Sequence, residues 1–252
     1  MILDPTYLAP PVVPGRPVVD PKQTPLVDVE LAGGIRGVYR QVFGKDIELR
    51  GIAAICAQVI LETGRIYCYW WDIGNVKASP SYRGMVQYYR CSEITDGVEK
   101  HFDPYNPVAC FRAWQSLAQG IEQHLRFLGT VTNSAGRPNR YQAAFDAAVR
   151  GDVIGMVDEL HRAGYFTASL GLYQSGVQRL FNQLLRDLPS KLPVLAPTLE
   201  TTPEVYQPTS GRSPFSDADL RRVHALQIPL TVDWHEWKED VRKQLLEQDL
   251  PS

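Results

Sequence analysis

The stretch GIAAICAQVILETG, residues 51–64, decides the fold class of this chain. Its apolar residues recur at helical spacing, which predicts a helix with a buried face. These residues are Ile52, Ile55, Val59 and Ile60. Gly64 is typical of the left-handed position that ends a helix. Glu62 lies just before that end, so the sequence predicts a carboxyl group at the C-terminus of an apolar helix.

The same helical period occurs in five other segments. They are residues 27–43, 111–128, 139–149, 153–163 and 170–187. Residues 66–110 differ, because they are rich in aromatic and β-branched residues and contain the turn-forming pair Asp96-Gly97. The sequence therefore predicts an α+β, mostly α fold: a helical body with a small irregular or β-lobe insertion that includes a hairpin.

Proline content divides the chain into four parts. Residues 1–25 carry 7 prolines and predict an extended, polyproline-like N-terminal arm. Residues 26–188 predict a compact domain, and the proline-rich residues 189–214 predict a linker. Residues 215–252 predict a helical tail, whose apolar stripe either packs on its own domain or docks on a partner subunit. The stripe consists of Trp234, Trp237, Val241 and Leu245.

Composition and motifs exclude several classes of function. A net charge of −2 gives no bulk attraction to nucleic acid or anionic lipid, and no apolar run reaches the ~18–20 residues that span a bilayer. The first 20 residues lack a basic segment followed by a continuous apolar one, so we expect no secretory signal peptide. His235-Glu236 lacks the second histidine of a zinc protease motif, and there is no G-x-S-x-G, Walker or G-x-G-x-x-G segment. We expect no cofactor and no metal.

The four cysteines form no C-x-x-C pair, which argues against a zinc or thioredoxin-like site. Cys56 falls within the apolar helix and is expected to be a buried thiol. A disulfide among Cys68, Cys91 and Cys110 stays open, because sequence does not choose among the pairings.

Glu62 is the first candidate for catalysis. A carboxyl group held against apolar walls resists ionisation, which suits it to donate a proton near neutral pH. Hydrolysis of a glycosidic bond needs such an acid to protonate the departing oxygen. Taken alone, the pattern more often belongs to a solvated glutamate at a helix end.

Five segments, taken in order, change that interpretation. They are AQVILETG (57–64), WDIGNVKAS (71–79), YRGMVQYYRCSE (82–93), FRAW (111–114) and AGYFT (163–167). Together they resemble the flagellar and autolysin-type glucosaminidases, glycoside hydrolase family 73, of the lysozyme superfamily. The resemblance covers roughly residues 30–187 and implies a lysozyme-like fold.

The resemblance also implies catalytic roles. Glu62 corresponds to the family's catalytic acid. Glu93 falls where the family has a second carboxylate on a mobile β-lobe, with Glu99 as a reserve. Glu93 would either activate a water or support attack by the substrate's own acetamido oxygen. Tyr165 matches a tyrosine that lines the cleft. Without the resemblance, Glu93 would be a surface strand residue and Tyr165 a half-buried core aromatic.

Six residues of the insertion are candidates for substrate binding, because sugars stack on aromatic rings and bond to polar groups. An alternative is that the aromatic ones form the core of a small β-lobe. The candidates are Trp71, Asp72, Lys77, Tyr82, Tyr88 and Tyr89.

The chain departs from the family pattern at three places. The family's N-L-F-G is Asp72-Ile73-Gly74-Asn75 here, Arg65-Ile66 follows the acid-bearing helix, and Ala168 replaces an acidic residue. Substrate subsites are therefore expected to differ.

The expected function is hydrolysis of peptidoglycan glycan strands, as an endo-β-N-acetylglucosaminidase. The alternatives are a muramidase or lytic transglycosylase on the same fold, and a non-catalytic structural or tail-assembly component. The expected partners are glycan strands and, through the proline-rich arms and the C-terminal helix, subunits of a phage tail or another assembly. No nucleic acid or membrane partner is expected. We expect synthesis in the cytoplasm and action at the cell wall, as part of a virion or a secretion machine.

Overall fold

The computed structural model describes most of the predicted domain. The described residues are 16–95, 98–130, 139–166, 168–190 and 192, without the side chains of 93–95, 98 and 99. The first 15 residues of the predicted arm, nearly all of the predicted linker 189–214 and the whole predicted tail 215–252 lie outside the described residues.

Six helices form the body of the described region, which confirms the prediction of a mostly α, α+β fold. They are α1 (Asp28–Phe43), α2 (Leu49–Thr63), α3 (Leu117–Gly129), α4 (Gln142–Val149), α5 (Val153–Arg162) and α6 (Leu170–Asp187). Helix α2 is central: residues 51–60 are all buried, and α1, α4 and α6 pack around it. A helix that is apolar on nearly every side is stable only inside such a layer of neighbours.

Five short strands form the insertion and its edge. They are β1 (Val18–Val19), β2 (Val86–Tyr88), β3 (Cys91–Thr95), β4 (Val98–Phe102) and β5 (Cys110–Arg112). Strand β2 pairs in parallel with β1 and antiparallel with β5, while β3 and β4 form an antiparallel hairpin in which Thr95 pairs with Val98. The predicted hairpin is thus confirmed, with Asp96-Gly97 between its strands.

The helix predicted to begin at residue 111 begins at Leu117 instead. Phe111 and Arg112 belong to β5, where they pair with β2. Ser116 sets the true start, because its side chain accepts a hydrogen bond from the backbone N–H of Gln119 and caps the helix. The prediction was wrong because the strand continues the apolar pattern of the helix without a break.

Residues 16–25 pack on the domain, although the predicted domain boundary placed them in the free arm. The N–H of Val86 donates to the carbonyl of Pro17 at 2.9 Å, and the N–H of Thr24 donates to the carbonyl of Cys68 at 2.8 Å. Proline lacks an N–H but keeps its carbonyl, so it is tolerated on an edge strand. The insertion is therefore bordered by the segment that precedes α1.

The four cysteines are all free and buried, Cys56 among them as predicted. None of the described helices is long and apolar enough to cross a bilayer.

Candidate active site

Glu62 lies in the last turn of α2 and is 7% exposed. The helix ends because Gly64 adopts φ +53°, a left-handed conformation that glycine takes without steric cost, and its N–H donates to the carbonyl of Ile60 at 2.8 Å. The last carbonyls of a helix need partners from outside it. Asn75 of the insertion supplies one, because its Nδ2 donates to the Glu62 carbonyl at 2.9 Å. This bond ties the acid-bearing helix end to the insertion.

Tyr173 holds the Glu62 carboxyl group. Its hydroxyl donates to Oε1 of Glu62 at 2.6 Å, from a ring that is 1% exposed and stacks on Phe166 at 3.8 Å between centroids. Burial, and next the nearby Glu62, raise the pKa of Tyr173 well above its usual value. The hydroxyl therefore keeps its proton and acts as a donor. We did not predict Tyr173 from the sequence; the only signal was a tyrosine in the first turn of the helix that follows the AGYFT segment.

Tyr165 contacts α2 at Gln58, which lies one helical turn before Glu62. Gln58 donates from Nε2 to the Tyr165 hydroxyl at 3.1 Å, and that hydroxyl donates to the carbonyl of Gly74 at 3.3 Å. The other end of the Gln58 amide bonds to His124 Nε2 at 3.1 Å. An amide oxygen only accepts, so His124 carries its proton on Nε2. Burial lowers the pKa of His124 to about 4, which keeps the imidazole neutral at neutral pH.

Two residues of the first departure from the family pattern, Gly74 and Asn75, have a structural explanation. Asn75 stands where the family has glycine and adopts φ +46°, which asparagine tolerates better than most residues. Gly74 stands where the family has phenylalanine, and a Cβ there would lie 2.4 Å from Nδ1 of His124. The His124 ring therefore occupies space that a side chain at position 74 would need.

Asp72 is buried beside this network and is 1% exposed. Burial raises its pKa to about 8, against the smaller lowering effects of the Val76 N–H, the Arg112 guanidinium and the Gly74 N–H. At neutral pH the side chain is therefore an uncharged acid, which resembles the neutral asparagine of the family. Its Oδ2 is buried and has no hydrogen-bond partner.

The base of the β3–β4 hairpin is linked to Glu62 by two hydrogen bonds. The Tyr89 hydroxyl donates to Oδ1 of Asn75 at 3.2 Å, and Asn75 bonds to the Glu62 carbonyl. The Tyr89 ring stacks on Phe111 at 4.1 Å between centroids. Glu93 lies in β3, two residues after the strand begins, and pairs with Lys100 of β4. Its side chain lies outside the described residues, so its catalytic role stays a prediction.

The other predicted binding residues have different surroundings. Trp71 is half-buried against the main core, and Lys77 is exposed with its Nζ 5.6 Å from the centroid of the Phe111 ring. Tyr82 is half-buried, whereas Tyr88 is 2% exposed and belongs to a small cluster inside the insertion. Burial raises the pKa of the Tyr165 hydroxyl, and Glu62 and Asp72 both lie close enough to it for their charges to raise that pKa further. The structure places Tyr88 inside the β-lobe core, and a role for it in binding stays a prediction.

No protein-family model and no curated protein matches the sequence. Solved structures do match. A peptidoglycan hydrolase mutant from Sphingomonas sp. A1 is 21% identical with a TM-score of 0.47, and the match covers 65% of this chain and 97% of that one. A C-terminally truncated glycoside hydrolase domain from Salmonella typhimurium FlgJ is 21% identical with a TM-score of 0.41, covering 64% of this chain and 99% of that one. At these TM-scores neither likeness decides what this chain does.

For Glu62 acting as the catalytic acid predicted from the sequence, changing Tyr173 to phenylalanine is expected to reduce catalysis about 10-fold or more, because one hydrogen bond to the Glu62 carboxyl group is lost. The change should act on kcat more than on KM and should alter the pH–rate profile, since the bond orients the acid. Tyr39→Phe, at another buried tyrosine of the core, is the matched control. An unchanged pH–rate profile with a lowered Tm would assign Tyr173 to packing alone.

Proposed function

We propose that this chain hydrolyses the glycan strands of bacterial peptidoglycan, with Glu62 as the general acid. The observation that carries the proposal is the Glu62 carboxyl group itself, buried at the end of α2 and oriented by the Tyr173 hydroxyl at 2.6 Å. Burying an ionisable carboxyl group costs free energy, and such groups are concentrated at functional sites.

The segments that resemble the family also converge in space, which supports the assignment. Gln58 from the first segment, Gly74 from the second and Tyr165 from the fifth are joined by hydrogen bonds at 3.1 and 3.3 Å. Residues that are 107 positions apart in sequence thus meet beside Glu62. A chance likeness of short sequence motifs would not require them to meet.

In the proposed reaction Glu62 gives its proton to the glycosidic oxygen as the bond to the anomeric carbon breaks. The positive charge that develops on the anomeric carbon is then neutralised by nucleophilic attack in one of two ways. Either Glu93 removes a proton from a water that attacks the opposite face, or the 2-acetamido oxygen of the substrate attacks first. The Tyr173 bond holds one oxygen of the acid, so the carboxyl group does not have to be ordered during the reaction.

Within this class we propose an endo-β-N-acetylglucosaminidase, a choice that rests on the resemblance of the five segments. The test is a digest of purified peptidoglycan whose reduced products are identified by mass spectrometry. N-acetylglucosamine at the reducing end supports the proposal. Reducing muramic acid would instead show a muramidase, anhydro-muramic ends a lytic transglycosylase, and intact strands a non-catalytic wall-binding or assembly protein.

Glu93→Gln is expected to lower activity less than a change at Glu62, by about 10- to 100-fold, because water or the substrate acetamide partly replaces a second carboxylate. Glu99→Gln, at the reserve candidate on the neighbouring strand, is measured beside it, and a larger loss there would transfer the role to Glu99; rates of reducing-end release are compared. Equal losses of activity at the two positions would mean that activity depends on the total charge of the hairpin and not on Glu93 itself.

We also propose that the chain reaches the wall as part of a phage virion or tail, or of a secretion machine. The proline-rich segments 1–15 and 189–214, nearly all of which lies outside the described residues, support this, because such segments can order when they dock on neighbouring chains. Mass spectrometry of purified particles should detect the chain in stoichiometric amounts. Its consistent absence from particles would contradict this route.

A further inference from the structure

Arg112, the last residue of β5, is held between two aromatic rings. Its guanidinium carbon lies 4.9 Å from the centroid of Tyr82 and 5.5 Å from that of Phe127, which come from the insertion and from α3. The residue is half-buried. Aromatic faces attract a guanidinium group and restrict its orientation, so the charged group is fixed before any ligand arrives.

Among the residues that the structure describes, the Arg112 guanidinium group has no side-chain hydrogen-bond or ion-pair partner of the kind that usually accompanies a partly buried arginine. Its Nε is shielded from solvent without a hydrogen-bond partner, and it forms no ion pair with an acidic residue of the described region. Asp72 is the acidic group that interacts with it electrostatically. Because burial keeps Asp72 protonated at neutral pH, the charge of Arg112 is left without a compensating anion there.

The position of Arg112 connects it to the site around Glu62. Phe127, which covers one face of the guanidinium group, lies 6.5 Å from the ring of Tyr165 between centroids. Tyr165 in turn bonds to Gln58, one turn before Glu62 on α2. Phe127 and Tyr165 thus connect Arg112 to the hydrogen-bond network beside Glu62.

We propose that Arg112 binds a carboxylate of the peptidoglycan substrate and so makes the chain prefer carboxylate-bearing saccharides over neutral ones. The proposal rests on the proposed function. A planar guanidinium group matches a carboxylate with two parallel hydrogen bonds, which neutral sugar hydroxyls do not provide. In peptidoglycan the carboxylate comes either from the lactyl group of muramic acid or from the peptide stem.

The test is a binding measurement on the full chain that carries Glu62→Gln, which removes the proposed acid and leaves Arg112 in place. Four probes are titrated: denuded glycan oligosaccharides with a free lactyl carboxylate, the same oligosaccharides with that carboxylate converted to an amide, stem-bearing oligosaccharides, and chito-oligosaccharides of equal length. The carboxylate form should bind about 10- to 100-fold more tightly than the amide or the chito-oligosaccharide. Tighter binding of the denuded probe would identify the lactyl carboxylate as the group that Arg112 binds. Tighter binding of the stem-bearing probe would identify the stem carboxylate.

Arg112→Gln, added to the same background, should abolish this preference and leave binding of chito-oligosaccharides within about 3-fold. Arg83→Gln is the matched control, because it removes the same charge from an exposed arginine near Tyr82. Equal affinity of the Arg112-containing chain for the carboxylate and amide probes overturns the proposal, even where Arg112→Gln does not fold. Equal loss for charged and neutral probes in a folded Arg112→Gln variant overturns it as well.

The binding measurements do not require that the chain cleaves glycan. A carboxylate preference that requires Arg112, in a wild-type chain that cuts no glycan, would support this inference while the proposed function fails.

Discussion

Changing Glu62 to glutamine is expected to lower the release of reducing ends from peptidoglycan by about 100- to 10,000-fold, the usual contribution of a general acid. Glutamine has nearly the same shape and its amide oxygen still accepts the bond from Tyr173, but it has no proton to give to the glycosidic oxygen. The fold should survive, because the contacts of α2 with its neighbours do not depend on the charge. Activity is measured on purified peptidoglycan, and Tm checks the fold.

Glu30→Gln is the matched control, because it makes the same change at an exposed position in the first turn of α1. It should leave activity unchanged. Near-normal activity of Glu62→Gln would remove Glu62 from the chemistry. A large fall in Tm would show instead that the carboxyl group is needed for folding.

Changing Asp72 to asparagine is expected to stabilise the fold at and above neutral pH by several kcal/mol. The folded-state pKa of Asp72 is raised from 3.8 to about 8, so the folded chain binds this proton more tightly than the unfolded chain does. Binding of this proton contributes its whole share to the free energy of unfolding below about pH 4. Between about pH 4 and about pH 8 that contribution is lost, on the order of 1.4 kcal/mol per pH unit. Asparagine has no such proton to lose.

His124 contributes in the opposite direction. Its folded-state pKa is lowered from 6.5 to about 4, so stability falls as pH decreases through that range. The two effects oppose each other between about pH 4 and about pH 6.5, and above that range the Asp72 effect stands alone. Wild-type stability should therefore fall between neutral pH and about pH 8, and the Asp72→Asn variant should not show this fall.

Denaturant unfolding of both chains from about pH 5 to about pH 9 measures the difference, which should grow with pH and then level off. Asp20→Asn, which makes the same change at an exposed position, is the matched control. A constant difference for Asp72→Asn would mean that Asp72 is ionised in the folded chain, with Arg112 compensating its charge.

Local pattern was enough to predict the helices and the hairpin. Apolar residues at helical spacing define α2, Gly64 ends it in a left-handed conformation as predicted, and β3 and β4 pair as the predicted hairpin requires. The beginning of α3 was misplaced because β5 supplies apolar residues in the same register, and only pairing with β2 distinguishes strand from helix. Such pairing depends on residues far away in sequence.

The candidate site was only partly predictable for the same reason. Glu62 and Tyr165 were identified from motifs, whereas Tyr173 acts on Glu62 through packing of α6 on α2 across 111 positions. His124 fills the space beside Gly74, which no local pattern shows. The packing of residues 16–25 was missed because proline content favours an extended segment but does not tell whether it lies against a sheet edge.

The most direct test of the central claim is a digest of purified peptidoglycan in heavy-oxygen water, with wild type and Glu62→Gln side by side. Hydrolysis at the bond after N-acetylglucosamine predicts that wild type releases fragments with N-acetylglucosamine at the reducing end. Each should carry one heavy-oxygen label, and the variant should release almost none. Unlabelled anhydro products, or equal release by the two chains, would contradict the assignment of Glu62 as the acid of a glycan hydrolase.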